Sequence, residues 1–302
     1  MRIPFDLAET VALVVAEGTF DAAAARLHIT PSAVSQRVRT LEDLVGQVLL
    51  VRSKPVRATA AGEAIVRLAR QAVQLETDAR AALGIGTDET ASVALAVNAD
   101  SLATWFLPPL ARLTERHGVV FEVHRDDQDF TAGLLETGAV LGAVTSQRRP
   151  VAGCRVTALG SMRYRAVAAP SYAARWMPDG ADAGALESAP AVDFDRRDEL
   201  QRTWLRSRGV VTVPPRHLVP ASHDFATAVL LGLGWALLPT FQADDALARG
   251  DLVALGGEDV EVPLYWQQWN LRSPLLDAVA EEIIGEARRA LDPPSPDVVS
   301  RR

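Results

Sequence analysis

Two points of punctuation constrain this chain more than any other feature. At Glu17-Gly18-Thr19 a helix stop meets a helix start, and at Thr30-Pro31 a second start follows. Glycine suits the left-handed residue that closes a helix, threonine caps the next one, and proline fits a first turn. The spacing between these points predicts three short helices. Leu7, Val11, Val14 and Val15 form the apolar stripe of the first. Phe20, Ala23, Ala24 and Leu27 form that of the second, where the run Asp21-Ala22-Ala23-Ala24-Ala25 favours helix and lets a neighbour approach closely. Val34, Val38, Leu41 and Val45 form that of the third.

The third helix then leaves Ser32, Ser35, Gln36 and Arg39 on its outer face. Two helices joined by a tight turn, the second presenting short polar and basic side chains, make a helix-turn-helix pattern. Gln36 suits a bidentate pair with adenine, and Arg39 suits guanine or phosphate. Ser32 and Ser35 lie near the helix N-terminus, which itself favours a phosphate. An ordinary three-helix subdomain with a solvated polar face reads the same way up to this point. The next residues narrow the choice. Leu49-Leu50-Val51 reads as a strand, Val56 belongs to a returning one, and Arg52, Lys54 and Arg57 form a basic tip between them, a clamp for phosphates. Thr59 caps a long helix whose Ile65, Leu68, Ala69, Ala72, Leu75, Ala79 and Ala82 recur at roughly heptad spacing. One helix cannot bury that stripe alone, so a second subunit is expected, and symmetric dimers match two-fold operators.

Taken alone, the net charge of −7 argues against nucleic acid. Between Arg26 and Arg57, however, six basic residues face two acids, a local +4 that leaves −11 for the rest of the chain. Binding surfaces are local, so the average misleads. Lys54 is the only lysine in the sequence, and nearly all the positive charge is arginine. The single cysteine, Cys154, permits no internal disulfide or metal cluster and has no neighbouring base to make it a nucleophile. Asp6, Glu9 and Glu17 interrupt any apolar leader, and the most apolar stretch, Ala228 to Phe241, is too short and glycine-broken to span a bilayer. The cytoplasm is the expected location.

These runs carry a specific resemblance. Phe20 to Leu27, Thr30 to Val38, Leu41-Glu42, Gly46 to Arg52 and Thr59 to Gly62 resemble the DNA-binding domain and linker helix of the LysR-type transcriptional regulators. That family usually has phenylalanine where Val51 stands here.

Past a glycine-containing hinge at Gly84-Ile85-Gly86-Thr87-Asp88, strand and helix patterns alternate, which predicts an α/β architecture. Strands are expected at Ser92–Val97, Val119–Arg125, Leu141–Thr145, Arg163–Ala168, Ala191–Phe194, Trp235–Leu238 and Val262–Trp269. Helices are expected at Ser101–His117, Thr131–Thr137, Asp198–Ser207, Asp224–Leu231 and Pro274–Leu291, before a structureless tail. The chain resembles the family's effector module of two Rossmann-like lobes, similar to periplasmic binding proteins. The expected organisation is an all-α winged helix-turn-helix over 1–58, a linker and dimerisation helix over 59–84, and an effector-binding domain over 88–302. Its first lobe would take 88–162 and 269–302, its second 163–268. Ligands in such folds sit at strand ends, between lobes.

Leu95 to Trp105, Gly142 to Thr145 and Pro263 to Trp266 resemble the lysine- and arginine-responsive subgroup of that family, the LysG/ArgP regulators. The first run puts Asn98, Asp100 and Ser101 between a strand and a helix start, where backbone N–H groups and the Ser101 hydroxyl suit a carboxylate and Asp100 suits an ammonium. The resemblance implies L-lysine or L-arginine as effector, with histidine the next choice, and no cofactor. For the effector's positive charge the acidic candidates are Asp126, Asp127, Asp129, Asp193, Asp195 and Asp224, with Asp127 and Asp129 preferred; helix capping is the competing role. Thr145 lies in the matching run, and His223 stands where subgroup members often carry glutamate. Trp105, Trp266 and Trp269 belong to core or to a cleft wall.

The function implied is a regulator, not an enzyme. It would bind double-stranded operator DNA as a homodimer or homotetramer, respond to a basic amino acid and control a basic amino-acid exporter gene. RNA polymerase is a further partner implied by that role; a membrane is not. A regulator of this type with a different small-molecule effector is the alternative. No nucleophile elbow, Walker loop, dinucleotide fingerprint or metal-ligand cluster points to an enzyme. A pure solute-binding protein would not carry a helix-turn-helix, and an architectural DNA protein would not need the acidic α/β module.

Overall fold

In a computed structural model, residues 2–85, 91–126 and 131–293 are described. The N-terminal punctuation acts as its chemistry dictates. Helix α1 (Phe5–Glu17) closes at Gly18, whose φ of 71° is left-handed. Thr19 then accepts from the Ala22 N–H at 3.2 Å and opens α2 (Phe20–Arg26). Thr30 does the same for the Ala33 N–H, with Pro31 starting α3 (Pro31–Val45). Val11, Val14, Ala23, Val34, Val38 and Leu41 are buried together, while Leu7, Val15 and Val45 pack at the edge of that core.

The wing is short, with β1 (Leu50–Val51) antiparallel to β2 (Arg57–Ala58). Two bonds fix it. The Glu42 carboxylate accepts from the Leu49 N–H at 2.8 Å, and the Val56 N–H donates to the Gly18 carbonyl at 2.8 Å. Thr59 caps α4 (Ala60–Ala82) through the Gly62 N–H while donating its own proton to the Val48 carbonyl. This brings Gly62 onto the wing: a β-carbon there would lie 2.0 Å from the Leu49 carbonyl oxygen.

The α4 stripe is divided. Ile65 and Ala69 are buried in the chain's own N-terminal core, whereas Leu68 and Leu75 are exposed. Further along, Arg67 and Arg70 donate to the Glu136 and Ala139 carbonyls, and Gln74 donates to the Ser273 hydroxyl at 3.3 Å.

Beyond α4 the elements are β3 (Ser92–Asn98), α5 (Ala99–Thr104), α6 (Leu107–His117), β4 (Val120–Asp126), α7 (Thr131–Glu136), β5 (Gly142–Thr145) and β6 (Cys154–Ala168). Then come α8 (Pro170–Trp176), α9 (Ala183–Ser188), β7 (Ala191–Asp193), α10 (Leu200–Ser207), β8 (Arg216–Leu218), α11 (Ser222–Leu230) and β9 (Ala236–Pro239). The last are α12 (Thr240–Arg249), β10 (Val253–Ala254), β11 (Val260–Trp269) and α13 (Pro274–Ala290).

Two compact units result. The first comprises Met1–Val97, Leu110–Val156 and Trp266–Glu282; the second comprises Asn98–Pro109, Thr157–Tyr265 and Ile283–Arg302. In the first, β3 pairs in parallel with β5, Leu95 opposite Gly142, with β4 on its other side and β11 beyond β5. In the second, β6 pairs antiparallel with β9, Tyr164 opposite Pro239, and with β10, while β7 and β8 form a small parallel pair. Val167, Val192, Phe225, Val229, Leu238 and Ala243 form a core there. These are the mixed parallel and antiparallel strands and the helices of an α/β module that follows a winged helix-turn-helix.

The structure departs from expectation in several places. The helix expected over Ser101–His117 is two helices, broken at Trp105-Phe106. Pro108 and Pro109 have no N–H to bond back into the preceding turn, so they can only open a new helix; Trp105 and Phe106 fill the break with buried rings. The strand expected from Arg163 begins at Cys154, and α8, α9 and α12 have no counterpart in the sequence reading. Of the expected hinge, residues 86–88 lie outside the described residues, as does the tail from 294.

Gly62 gives a direct test. Gly62→Ala is expected to destabilise the protein by about 2 kcal/mol or more, because the methyl meets backbone rather than a yielding side chain. Gly285→Ala, in α13, meets nothing within 4 Å and is expected to be neutral or stabilising. Thermal unfolding followed by circular dichroism compares the two.

Candidate functional site

The outer face of α3 is open as expected. Ser32, Gln36 and Arg39 are exposed and Ser35 is half-buried. The Ser32 hydroxyl also pairs with that of Thr30 at 2.9 Å, so it braces the cap. Arg37 turns the other way and reaches the buried Thr10 hydroxyl, fixing α3 against α1. On the wing, Arg52, Lys54 and Arg57 are all exposed, and the Arg52 guanidinium lies 6.0 Å from the centre of the Phe20 ring. The chain therefore presents an exposed polar helix face and an exposed basic wing tip.

A second cluster forms in the second unit where β3 runs into α5. Asp100 is held by two hydroxyls: Tyr164 donates to Oδ2 at 2.8 Å and Ser222 donates to Oδ1 at 2.6 Å. Ser222 in turn accepts from the Gln242 side-chain amide at 3.1 Å. Burial pushes the Asp100 carboxyl above the ordinary carboxylate range, and the two hydroxyl bonds only partly offset it. In the same run and on Ser222's partner, Asn98 Oδ1, Ser101 Oγ and Gln242 Oε1 are buried polar atoms with no hydrogen-bond partner among the described residues. Buried polar groups are nearly always paired, so a local concentration of unpaired ones is a place where water or a ligand fits. α5 has only six residues, so its terminus offers little of the dipole a longer helix would bring. The chemistry here rests on side chains.

The expected residues divide accordingly. Asn98, Asp100 and Ser101 come together. His223 and Asp224 are exposed, while Ser222, just before them, is buried and bonded to Asp100. The signal was present in α11: Ser222, Phe225, Ala226 and Val229 share one buried helix face, from which His223 and Asp224 are turned away. Tyr164 and Gln242 were missed because only the fold brings β6 and α12 to Asp100.

Asp195 serves a turn. Burial raises its carboxyl, but bonds from the Arg197 backbone and guanidinium and from the Asp198 N–H outweigh that and hold it low. Asp193 is buried against Arg216 at 2.7 Å. Thr145, in the first unit, is buried and accepts from the Gln147 N–H. Asp127 and Asp129 lie outside the described residues, and of Asp126 only the backbone is described.

Trp105, Trp266 and Trp269 are buried in the cores of their units; a β-carbon on Gly142 would strike the Trp266 ring. Burial pushes the Cys154 thiol up to about 12, so it is protonated and unreactive at neutral pH. Among the described residues no group of three or more histidine, cysteine or acidic side chains is placed to hold a metal, and no helix is long and apolar enough to cross a membrane.

Comparison with known proteins agrees with both halves of this description. Residues 5–63 match the bacterial regulatory helix-turn-helix protein family of lysR type, and residues 86–288 match the LysR substrate binding domain. A transcriptional regulator named LysG from Mycobacterium bovis is 45% identical over 276 residues, 90% of each chain. The crystal structure of ArgP from Mycobacterium tuberculosis matches with a TM-score of 0.86 at 42% identity, covering 96% of this chain and 98% of that one. Full-length LysG from Corynebacterium glutamicum with bound effector Arg matches at 0.78 and 38% identity, covering 96% and 100%. These relatives are transcriptional regulators and not enzymes. With its helix-turn-helix in one matched domain and its unpaired polar cluster in the other, the chain belongs to the LysR family of bacterial transcriptional regulators.

Proposed function

We propose that this chain is a sequence-specific DNA-binding regulator whose hold on its operator changes when a basic amino acid, L-lysine or L-arginine, occupies the cluster around Asp100. The observation that carries this is the Asp100 carboxyl itself. It is desolvated, and its hydrogen-bond partners are two neutral hydroxyls. A buried carboxylate without a cation is costly, and a cationic ligand relieves that cost directly. The arginine-bound LysG relative supports the choice of ligand class. The ammonium of an amino acid suits Asp100, and its carboxylate suits the Ser101 hydroxyl next to it. The working assembly is a homodimer or homotetramer in the cytoplasm, paired through the exposed Leu68 and Leu75 of α4, with 1–58, 59–84 and 88–302 as its functional parts and RNA polymerase as a further partner. Its target is a gene for export of the same amino acid. A ligand shifts such an assembly only by binding one conformation better than another.

Two measurements test this. Calorimetry with L-arginine and L-lysine tests the effector. Affinity is expected to rise with pH above the ordinary carboxylate range, because the ligand binds the ionised form of Asp100 and the ligand-free group holds its proton to higher pH. Asp100→Asn is expected to lose about 30-fold or more in affinity and to flatten that pH dependence. Unfolding supplies a check on the sign: a carboxyl raised by folding costs stability above its native titration point, so ligand-free Asp100→Asn melts at or above the parent at neutral pH.

Fluorescence anisotropy on DNA from the chain's own promoter region tests the reading helix. Gln36→Ala and Arg39→Ala are each expected to weaken specific binding by about 10-fold. Lys54→Ala and Arg57→Ala are expected to weaken all sequences alike and reduce the salt slope by about one each. Unchanged specific binding in Gln36→Ala and Arg39→Ala would overturn the assignment of α3.

A further inference from the structure

Gln242 stands at the third position of α12, where a glutamine ordinarily turns its side-chain carbonyl back to the N–H of the capping residue. The capping residue here is Pro239, which has no N–H to give. The amide is oriented instead by the Asp100 chain. Ser222 has one proton, and it goes to the Asp100 carboxylate at 2.6 Å. Ser222 can then only accept from Gln242, which it does from Nε2 at 3.1 Å. Oε1 is therefore left as a buried acceptor with no partner among the described residues. The register holds the group in place, since Pro239 lies opposite Tyr164, the other residue bonded to Asp100.

An ammonium group carries three N–H donors and is poorly served by one carboxylate. A charged acceptor and a neutral one, tied together through a shared hydroxyl, suit it better. We infer that Gln242 Oε1 is a second acceptor for the effector's α-ammonium group, so that the pair Asp100 and Gln242 selects ligands bearing a free α-amine. This rests on the proposed reading of the Asp100 cluster and adds to it a residue and a chemical requirement: the site recognises the amino-acid end of its ligand and not only a positive side chain.

The test is a cycle between the protein and the ligand. L-arginine and its desamino analogue, 5-guanidinopentanoate, are titrated calorimetrically into the parent, Gln242→Met and Gln242→Glu, with thermal melting to confirm that each variant folds. Removing an acceptor from a charged donor is expected to cost about 10-fold in Gln242→Met for L-arginine, with no change for the desamino analogue. Gln242→Glu keeps an acceptor at the same point and is expected to stay within about threefold of the parent for L-arginine. Equal L-arginine affinity in the parent and Gln242→Met overturns the inference, as does an equal loss for both ligands. A parent that binds neither L-arginine nor L-lysine overturns the reading beneath it, and this inference with it.

Discussion

A half-buried carboxylate whose side-chain partners among the described residues are two hydroxyls is the constraint on which the cluster in the second unit depends. Hydroxyl bonds stabilise a charged acceptor, while taking a carboxylate out of water is costly. At Asp100 the two bonds offset that cost only in part, and the deficit appears as a carboxyl held above its ordinary range. The deficit lasts because the elements converging on Asp100 have other reasons to be where they are. Tyr164 is held in β6 by its pairing with β9, Ser222 by the buried face of α11, and Gln242 by the start of α12. The fold thus maintains an unfavourable group at small local cost, which is the condition for a site that gains by being filled.

The N-terminal region was legible because its instructions are local. Thr19 and Thr30 cap helices whose first N–H groups lie three residues away, and Gly18 and Gly46 close helices at their own positions. The exposed face of α3 follows from the same periodicity that buries Val34, Val38 and Leu41. Charge had to be read locally as well: a basic stretch of +4 between Arg26 and Arg57 is invisible in a total of −7.

The cluster around Asp100 was only half legible. Asn98, Asp100 and Ser101 are near neighbours in sequence, so one strand-to-helix step finds all three. Tyr164 and Ser222 are 64 and 122 residues from Asp100. Nothing short of the tertiary fold joins them. His223 and Asp224 were named from the family resemblance and from charge; Ser222 is found by helix geometry, since the buried face of α11 begins at the serine. The break at Trp105 was similarly readable from Pro108 and Pro109, whose missing donors outweigh the helical pattern around them.

The wing has a consequence for how this protein can be observed. Its tip carries Lys54, exposed, and it is the only lysine among 302 residues. Acylating reagents that seek side-chain amines therefore have one target in the whole chain, on the wing proposed to meet the phosphate backbone. If the proposed contact holds, bound DNA shields that one amine, and an acyl group placed there would remove the wing's one ammonium charge without touching the arginines beside it.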